Sequence, residues 1–252
     1  MRTKLTKIAL MAALALAAAF TLSCSGDDDD EDLPGSNLAG GGDSSSSDGG
    51  RSSSSIGVVY GESVNYGGET YRTVVIGTQT WFARNLNYYA EGSKCYGDDP
   101  ANCDVYGRLY DWETALAVCP SGWHLPSNEE WDELMLYVED DAGVEHYYRP
   151  YTSFTVGGYL TATSVGERAT DEYGFSALPG GYGSSSGSFN GIYDVGSYGI
   201  WWSASGSDSK NDHVLCWMIG GLFFGLTTNK NDDSYWQGCD KLDYVSIRCL
   251  KD

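Results

Sequence analysis

Seven cysteines, three histidines and several clustered carboxylates are the side chains of this chain best suited to chemistry. Cys24 stands apart near the start. The other six, Cys95, Cys103, Cys119, Cys216, Cys239 and Cys249, are spread over the remainder. No pair has C-x-x-C spacing, and no histidine lies at ligand spacing from a cysteine. Disulfides are therefore expected in place of a zinc site, and neither a metal nor a cofactor is expected. Cys95 and Cys103 bracket a short polar loop that one bond could staple; the other pairings stay open at this level. His124, inside Gly122-Trp123-His124-Leu125-Pro126, reads as a hydrogen-bonding residue of a turn. His146 and His213 have no nucleophile or carboxylate partner at motif spacing, and neither H-E-x-x-H nor a P-loop is present. Glu129, Asp132, Glu133 and Glu139 read as the wet face of a helix, not as an acid–base pair. Aromatic rings are the remaining lead, since sugar rings stack their C–H faces on them. Tyr235 and Trp236 lie in a polar stretch and are expected to be exposed. Trp201 and Trp202 are adjacent in a strand, so one of them is expected to face away from the core. Trp112, Trp123 and Trp131 are expected to fill it.

These residues sit in a chain with a marked N-terminal programme. Arg2, Lys4 and Lys7 precede an apolar run, Ile8 to Leu22, too short and too soon followed by acid to span a membrane comfortably. The run closes on Thr21-Leu22-Ser23-Cys24, which resembles the lipobox of bacterial lipoproteins, where cleavage leaves an acylated cysteine. Residues 1–23 thus read as a signal peptide and Cys24 as the lipidation site. Residues 24–57 read as a tether. Asp27 to Asp30, Glu31 and Asp32 repel one another and stay solvated; the Ser/Gly-rich remainder cannot bury enough apolar surface to order itself. About thirty such residues reach roughly 30 Å. Residues 58–252 form the domain.

The chain carries 15 Lys and Arg against 35 Asp and Glu, a formal net charge of −20. Loss of residues 1–23 removes three positive charges and no acidic ones, so the mature chain is more acidic still. That excludes the basic footprint of a nucleic-acid binder and leaves the acyl chain as the membrane contact.

The elements that must position these side chains follow from local pattern. Tyr71 to Ile76 reads as a strand, with a turn at Gly77 to Gln79 and a returning strand at Thr80 to Ala83. Gly92 to Cys103 reads as a loop. Leu109, Trp112 and Leu116 recur at helical spacing, which predicts a helix ended by Pro120 and Gly122. Ser127 and Glu130 form a capping-box pattern opening a second helix, whose apolar face is Trp131, Leu134, Met135 and Val138. Beyond about Asp140 the pattern is strand and loop: Gly199 to Ala204, then His213 to Ile219 joined through Gly220-Gly221 to Leu222 to Thr228, and last Tyr244 to Leu250. In that final strand Val245, Ile247 and Cys249 share one face and Tyr244, Ser246 and Arg248 the other. A hairpin, two helices, long loops and an antiparallel sheet make an α+β fold.

Several segments, in order, resemble one family. They are Trp81 to Asn87, Tyr106-Gly107-Arg108-Leu109-Tyr110-Asp111-Trp112, Cys119 to Pro126 with Glu130-Trp131, Tyr173 to Tyr182, Trp201-Trp202-Ser203-Ala204 and Ser246-Ile247-Arg248-Cys249. Together they resemble the Fibrobacter succinogenes major paralogous domain over about residues 70 to 252, departing from it between about Gly143 and Glu167. The resemblance implies a disulfide-bonded C-type-lectin-like fold, distantly similar to formylglycine-generating enzymes. It implies that the outer cysteines Cys119 and Cys249 pair around Cys216 and Cys239, with Cys95–Cys103 as the local bridge. It places Asn231, Asp232 and Asp233 near where that fold carries a calcium loop. No Glu-Pro-Asn or Gln-Pro-Asp partner accompanies them, so they read as a turn. With all six cysteines paired, the free thiols that formylglycine chemistry needs are absent. Family members look like exported, often lipid-anchored proteins of a fibre-degrading bacterium. The expectation is a non-enzymatic, outer-membrane, surface-exposed lipoprotein that binds or adheres to plant cell-wall polysaccharide. The alternatives are a structural envelope lipoprotein without ligand and an enzyme of the formylglycine-generating type.

Overall fold

Residues 57–144, 152–153, 155–186, 188–189, 195–206, 213–220, 223–226 and 239–252 are described by the computed structural model. The expected signal peptide, Cys24, all of the expected tether but its last residue, His146, Asn231 to Asp233, Tyr235 and Trp236 lie outside the described residues.

Among the described residues the domain is a mixed α+β structure with few helices, three sheets and three disulfides. Strand β1 (Val59–Tyr60) is followed by β2 (Val64–Tyr66) and β3 (Glu69–Tyr71), a separate hairpin. Next come β4 (Thr73–Ile76) and β5 (Gln79–Phe82), paired through a two-residue connection whose first residue, Gly77, has φ 61°. Such two-residue turns with glycine first match the strand twist, which is why the expected hairpin forms there.

Helix α1 (Pro100–Tyr106) occupies part of what reads from sequence as loop. Its start is conventional in retrospect: Asp99 caps Ala101 N–H, and Pro100 fills a first-turn position where no N–H is needed. Gly107 ends it at φ 79°, pressed so closely on Asn85 and Leu86 that a Cβ would fall 2.8 Å from each.

The helix expected from Leu109 to Leu116 is mostly not formed. Leu109–Tyr110 is a strand, β6, and only the single turn α2 (Trp112–Ala115) is helical. The backbone of Leu109 is taken by reciprocal hydrogen bonds with Lys94, both 2.9 Å, and β6 pairs with a late strand. The Asp111 carboxylate then caps Thr114 N–H and restarts the chain as a helix. Leu116, expected inside, is 46% exposed.

Strand β7 (Trp123–His124) leads to α3 (Asn128–Ala142), the longest helix described. It carries the complete capping box of Ser127 and Glu130 and ends on Gly143 in the left-handed region. Trp131, Leu134, Met135 and Val138 are buried as expected, and Glu129 and Glu133 face solvent with Asp132 half-buried. Glu139 does not stay on the wet side and is only 4% exposed. It follows Val138, which shares a buried cluster with Val156 and Leu160 of α4 (Val156–Leu160).

The larger sheet contains β8 (Thr152–Ser153), β9 (Gly199–Gly206), β10 (His213–Gly220), β11 (Phe223–Leu226), β12 (Cys239–Asp240) and β13 (Val245–Ser246). With β6 they run in the order β6-β13-β9-β10-β11-β8, and β12 pairs with β10. The final strand β14 (Leu250–Lys251) sits instead in the five-stranded sheet, order β1-β4-β5-β14-β7. The expected last strand is thus one extended segment divided between two sheets. Between its halves, Ile247 and Cys249 accept hydrogen bonds from Leu86 N–H and Phe82 N–H at 2.9 and 3.0 Å.

Two buried clusters hold the structure. One gathers Val74, Trp81, Trp131, Val138, Phe175, Trp201 and Trp217; the other gathers Tyr71, Phe82, Tyr110, Trp202, Val214, Cys216, Val245 and Ile247. Adjacent residues of one strand, Trp81 and Phe82 or Trp201 and Trp202, enter different clusters. The strands are therefore covered on both faces. This corrects the expectation that one of Trp201 and Trp202 faces outward: both have no exposed surface. Trp131 is also fully buried, whereas Trp112 and Trp123 are half-buried.

The disulfides are Cys95–Cys103, Cys119–Cys249 and Cys216–Cys239, with Cα separations of 5.0, 5.9 and 6.2 Å. They are the pairs that the resemblance implied. The first closes the approach to α1, the second ties the segment after α2 to the crossing between sheets, and the third joins β10 to β12.

Candidate functional site

A recessed cavity of about 350 Å³ opens where the segment after α4 folds over the end of the larger sheet. Its near wall is the loop Val165 to Ala169, reached from α4 through a short 3-10 turn at Thr163–Val165. Its far wall is Ala177, Leu178 and Pro179, and the base is formed by Gly199, Trp201 and Ile219. Backbone bonds fix the far wall to the end of α4, just before the near wall: Ala177 N–H donates to Leu160 O at 2.9 Å and Ala162 N–H to Ala177 O at 3.0 Å. The lining is mainly apolar. Its polar groups are Thr161, Glu167, Arg168 and Ser197. The Thr161 hydroxyl is buried and donates to Gly157 O at 2.6 Å. Glu167, Arg168 and Ser197 are exposed at the mouth. Such an apolar recess with a few polar groups at its edge, at the lower end of the usual volume range, is the common form of a small-molecule site.

A second, shallower cavity of about 560 Å³ is lined by Leu116, His124, Leu125, Ser127, Glu130, Ala204 and Asp252. At its centre the His124 ring lies between two carboxylates. Nδ1 is 2.8 Å from Asp252 Oδ1 and Nε2 is 2.9 Å from Glu130 Oε1. A neutral imidazole has one N–H, so only the doubly protonated ring donates to both. Burial works against that charge, but the bonds to Asp252 and Glu130 outweigh it and raise the pKa above its ordinary 6.5. For Glu130, burial is outweighed by the Ser127 backbone N–H and by His124, and its pKa falls. Both ring nitrogens are thus spent on tying β7, α3 and the residue after β14 together. Among the described residues no group of three or more His, Cys, Asp or Glu could hold a metal ion.

A third polar cluster is wholly internal. Arg248 has no exposed surface, against the expectation that it shares an outer face with Tyr244 and Ser246; Ser246 is fully buried as well. The Arg248 guanidinium donates to Phe82 O at 3.1 Å, to Phe175 O, to Asn85 Oδ1 at 2.8 Å and to Ser176 O. Its Cζ lies 4.3 Å from the Phe175 ring centroid. Asn85 Oδ1 also accepts from Trp201 Nε1 at 2.8 Å, while Asn85 Nδ2 donates to Tyr106 O at 2.8 Å. Burial pushes the Arg248 pKa down to about 9, still above neutrality, so the group sits in the core as a cation. One guanidinium and one amide therefore join segments around residues 82–85, 106, 175–176, 201 and 248.

These segments are among those singled out in the sequence, and the family model of the Fibrobacter succinogenes major domain matches residues 74–251. The chain belongs to the Fibrobacter succinogenes major domain family. Comparison with curated proteins and with solved structures found no match in either case. In this family member the motif residues build the polar core and the two clusters, while the cavity draws on them only for Ala177 to Pro179 and for Trp201.

Of the aromatic candidates, Trp201 and Trp202 are removed as stacking platforms by their burial, although Trp201 lies beneath the cavity floor. Tyr235 and Trp236 lie outside the described residues. The exposed aromatic side chains among the described residues are Tyr60, Tyr89 and Tyr137. Arg72 lies over the Tyr60 ring at 4.1 Å and Arg108 over Tyr89 at 5.0 Å. Ser184, Ser185 and Ser186, in a stretch that spells G-x-S-x-G, lie at a turn; Ser184 and Ser186 bond each other and Ser185 N–H bonds Asp243. That is not the strand-to-helix elbow of a serine nucleophile. The cavity residues Thr161, Val165 to Ala169, Ser197 and Ile219 were missed from sequence. They come from two loops and one strand end with no shared spacing, so no local signal pointed to them.

Proposed function

We propose that this chain is a lipid-anchored, cell-surface binding module with a C-type-lectin-like fold, and that its ligand is a plant cell-wall polysaccharide. The observation that carries the reading is the recessed cavity, apolar within and polar at its mouth. His124, the one histidine whose side chain is described, has both nitrogens engaged in holding the fold, which favours binding over acid–base chemistry at that position. The nesting of Cys216–Cys239 inside Cys119–Cys249 supports the lectin-like reading. The apolar run ending at Cys24 and the acidic tether behind it support export, acylation and display.

The test is capture of the purified chain, with Cys24→Ser to keep it soluble, on insoluble cellulose and xylan with and without calcium. Retention on either polymer above a denatured control is expected. Failure on both leaves a structural envelope lipoprotein. Metabolic lipid labelling of the wild type, lost in Cys24→Ala, tests the anchor.

A further inference from the structure

We propose that the cavity bounded by Val165 to Ala169 and Ala177 to Pro179 binds the end of a neutral glycan chain, not a lengthwise stretch of polymer and not an acidic sugar. This rests on the binding-module reading and narrows it to a place and a chemical class.

The shape supplies the first half. A polymer bound along its length needs an open trench or a flat row of aromatic rings. Here the two walls face each other across a recess closed at its base by Gly199, Trp201 and Ile219. No tryptophan is exposed among the described residues. A recess of about 350 Å³ accepts the final rings of a chain.

The chemistry supplies the second half. Val165, which is exposed, and Leu178, which is half-buried, offer the aliphatic surface on which the C–H face of a sugar ring loses its contact with water, with the buried Ala177, Pro179 and Ile219 behind them. At the mouth stand one acid and one base, Glu167 and Arg168. Neither has a hydrogen bond, an ion pair or a ring contact among the described residues. An ionised carboxylate only accepts hydrogen bonds and a guanidinium only donates them. A sugar hydroxyl does both, so neighbouring hydroxyls of one ring satisfy both groups at once. A uronic acid would meet Arg168 but be repelled by Glu167, and an amino sugar would meet the reverse. The hydroxyl of Ser197 adds a further donor and acceptor at the edge.

Xylobiose, cellobiose and a glucuronic-acid-bearing xylo-oligosaccharide are titrated into the soluble full chain, with calorimetry as the readout. The same sugars are then used to displace the chain from insoluble xylan and cellulose. Ser197→Trp fills the mouth, and Glu167→Gln with Arg168→Ala removes the charge pair from exposed positions; thermal unfolding confirms that both variants are folded. Expected is binding of a neutral disaccharide, at least tenfold loss in both variants, and displacement from the polymer by that disaccharide. Polymer retention unaffected by disaccharide and by Ser197→Trp would overturn this inference while leaving the binding module intact. Tenfold tighter binding of the acidic oligosaccharide would overturn the neutral-ligand claim. Absence of retention and of binding to any probe would remove both readings.

Discussion

Replacing Arg248 by methionine should cost the domain about 2–6 kcal/mol. Methionine fills much of the same volume, so the cavity term that accompanies truncation stays small. What is lost is the donor set. The carbonyls of Phe82 and Phe175 lose the guanidinium that they face, in a region without exposed surface. At about 1–3 kcal/mol for each buried acceptor left unsatisfied, two carbonyls give the stated range. Asn85 Oδ1 keeps its bond from Trp201 and adds little. Against a typical total of about 5–15 kcal/mol, the loss is a large fraction of the stability. Arg248→Lys should recover only part of it, since a compact ammonium cannot reach acceptors spread around a planar fork. The assay is urea unfolding of the soluble, disulfide-intact chain followed by tryptophan fluorescence, with the denaturant slope checked for constancy. A methionine variant as stable as the native chain, or more stable, would refute the argument. It would mean that the desolvation of the cation equals or exceeds what its hydrogen bonds return, as happens in some buried ionic networks.

Three further outcomes follow from the same geometry. The chain-entropy account gives about 5 kcal/mol for Cys119–Cys249, which spans 130 residues, and about 2–3 kcal/mol for Cys95–Cys103, which spans 8; paired alanine substitutions should rank in that order by urea unfolding, and the reverse order would contradict it. Ser127→Ala should lower stability by about 1 kcal/mol through loss of the α3 cap, read as a fall in the unfolding midpoint. The His124 clasp should depend on pH. Its folded pKa is raised, so its contribution is complete below the ordinary 6.5 and is lost as pH rises through the folded value. Glu130 is shifted down, so its contribution is present above its ordinary 4.5 and is lost as pH falls. The stability gap between the native chain and His124→Gln should therefore shrink on the alkaline side, from a maximum of less than about 1 kcal/mol because the ring is partly exposed. A gap that widens with pH would rule the clasp out.

What could be read from the sequence was whatever the chain decides locally. The Ser127–Glu130 capping box and the apolar stripe of α3 depend on neighbours within a few residues, and each is found where its pattern placed it. The helix predicted from Leu109 failed because Lys94, far off in sequence, takes the backbone of Leu109. Helix α1 was legible in Asp99-Pro100 but was masked by the polar composition around it. The burial of Trp201 and Trp202 together, and of Arg248 beside Ile247, could not be read from alternation. Period two says that adjacent residues face opposite ways; it does not say that both ways are covered. The cavity was hidden for a related reason, since its walls meet only after α4, the 177–179 segment and β9 have come together.

The crossing of residues 245–251 between the sheets also sets an order of events. Strand β13 pairs with β6 and β9, and β14 pairs with β5 and β7. The two larger sheets are therefore completed by one segment that follows all its partners in sequence. The β4–β5 hairpin and the β9-β10-β11 ladder pair without it, but the long loops that it closes must be shut before its own contacts repay the lost entropy. The last strands thus join two partial ladders to each other, with Arg248 at the junction.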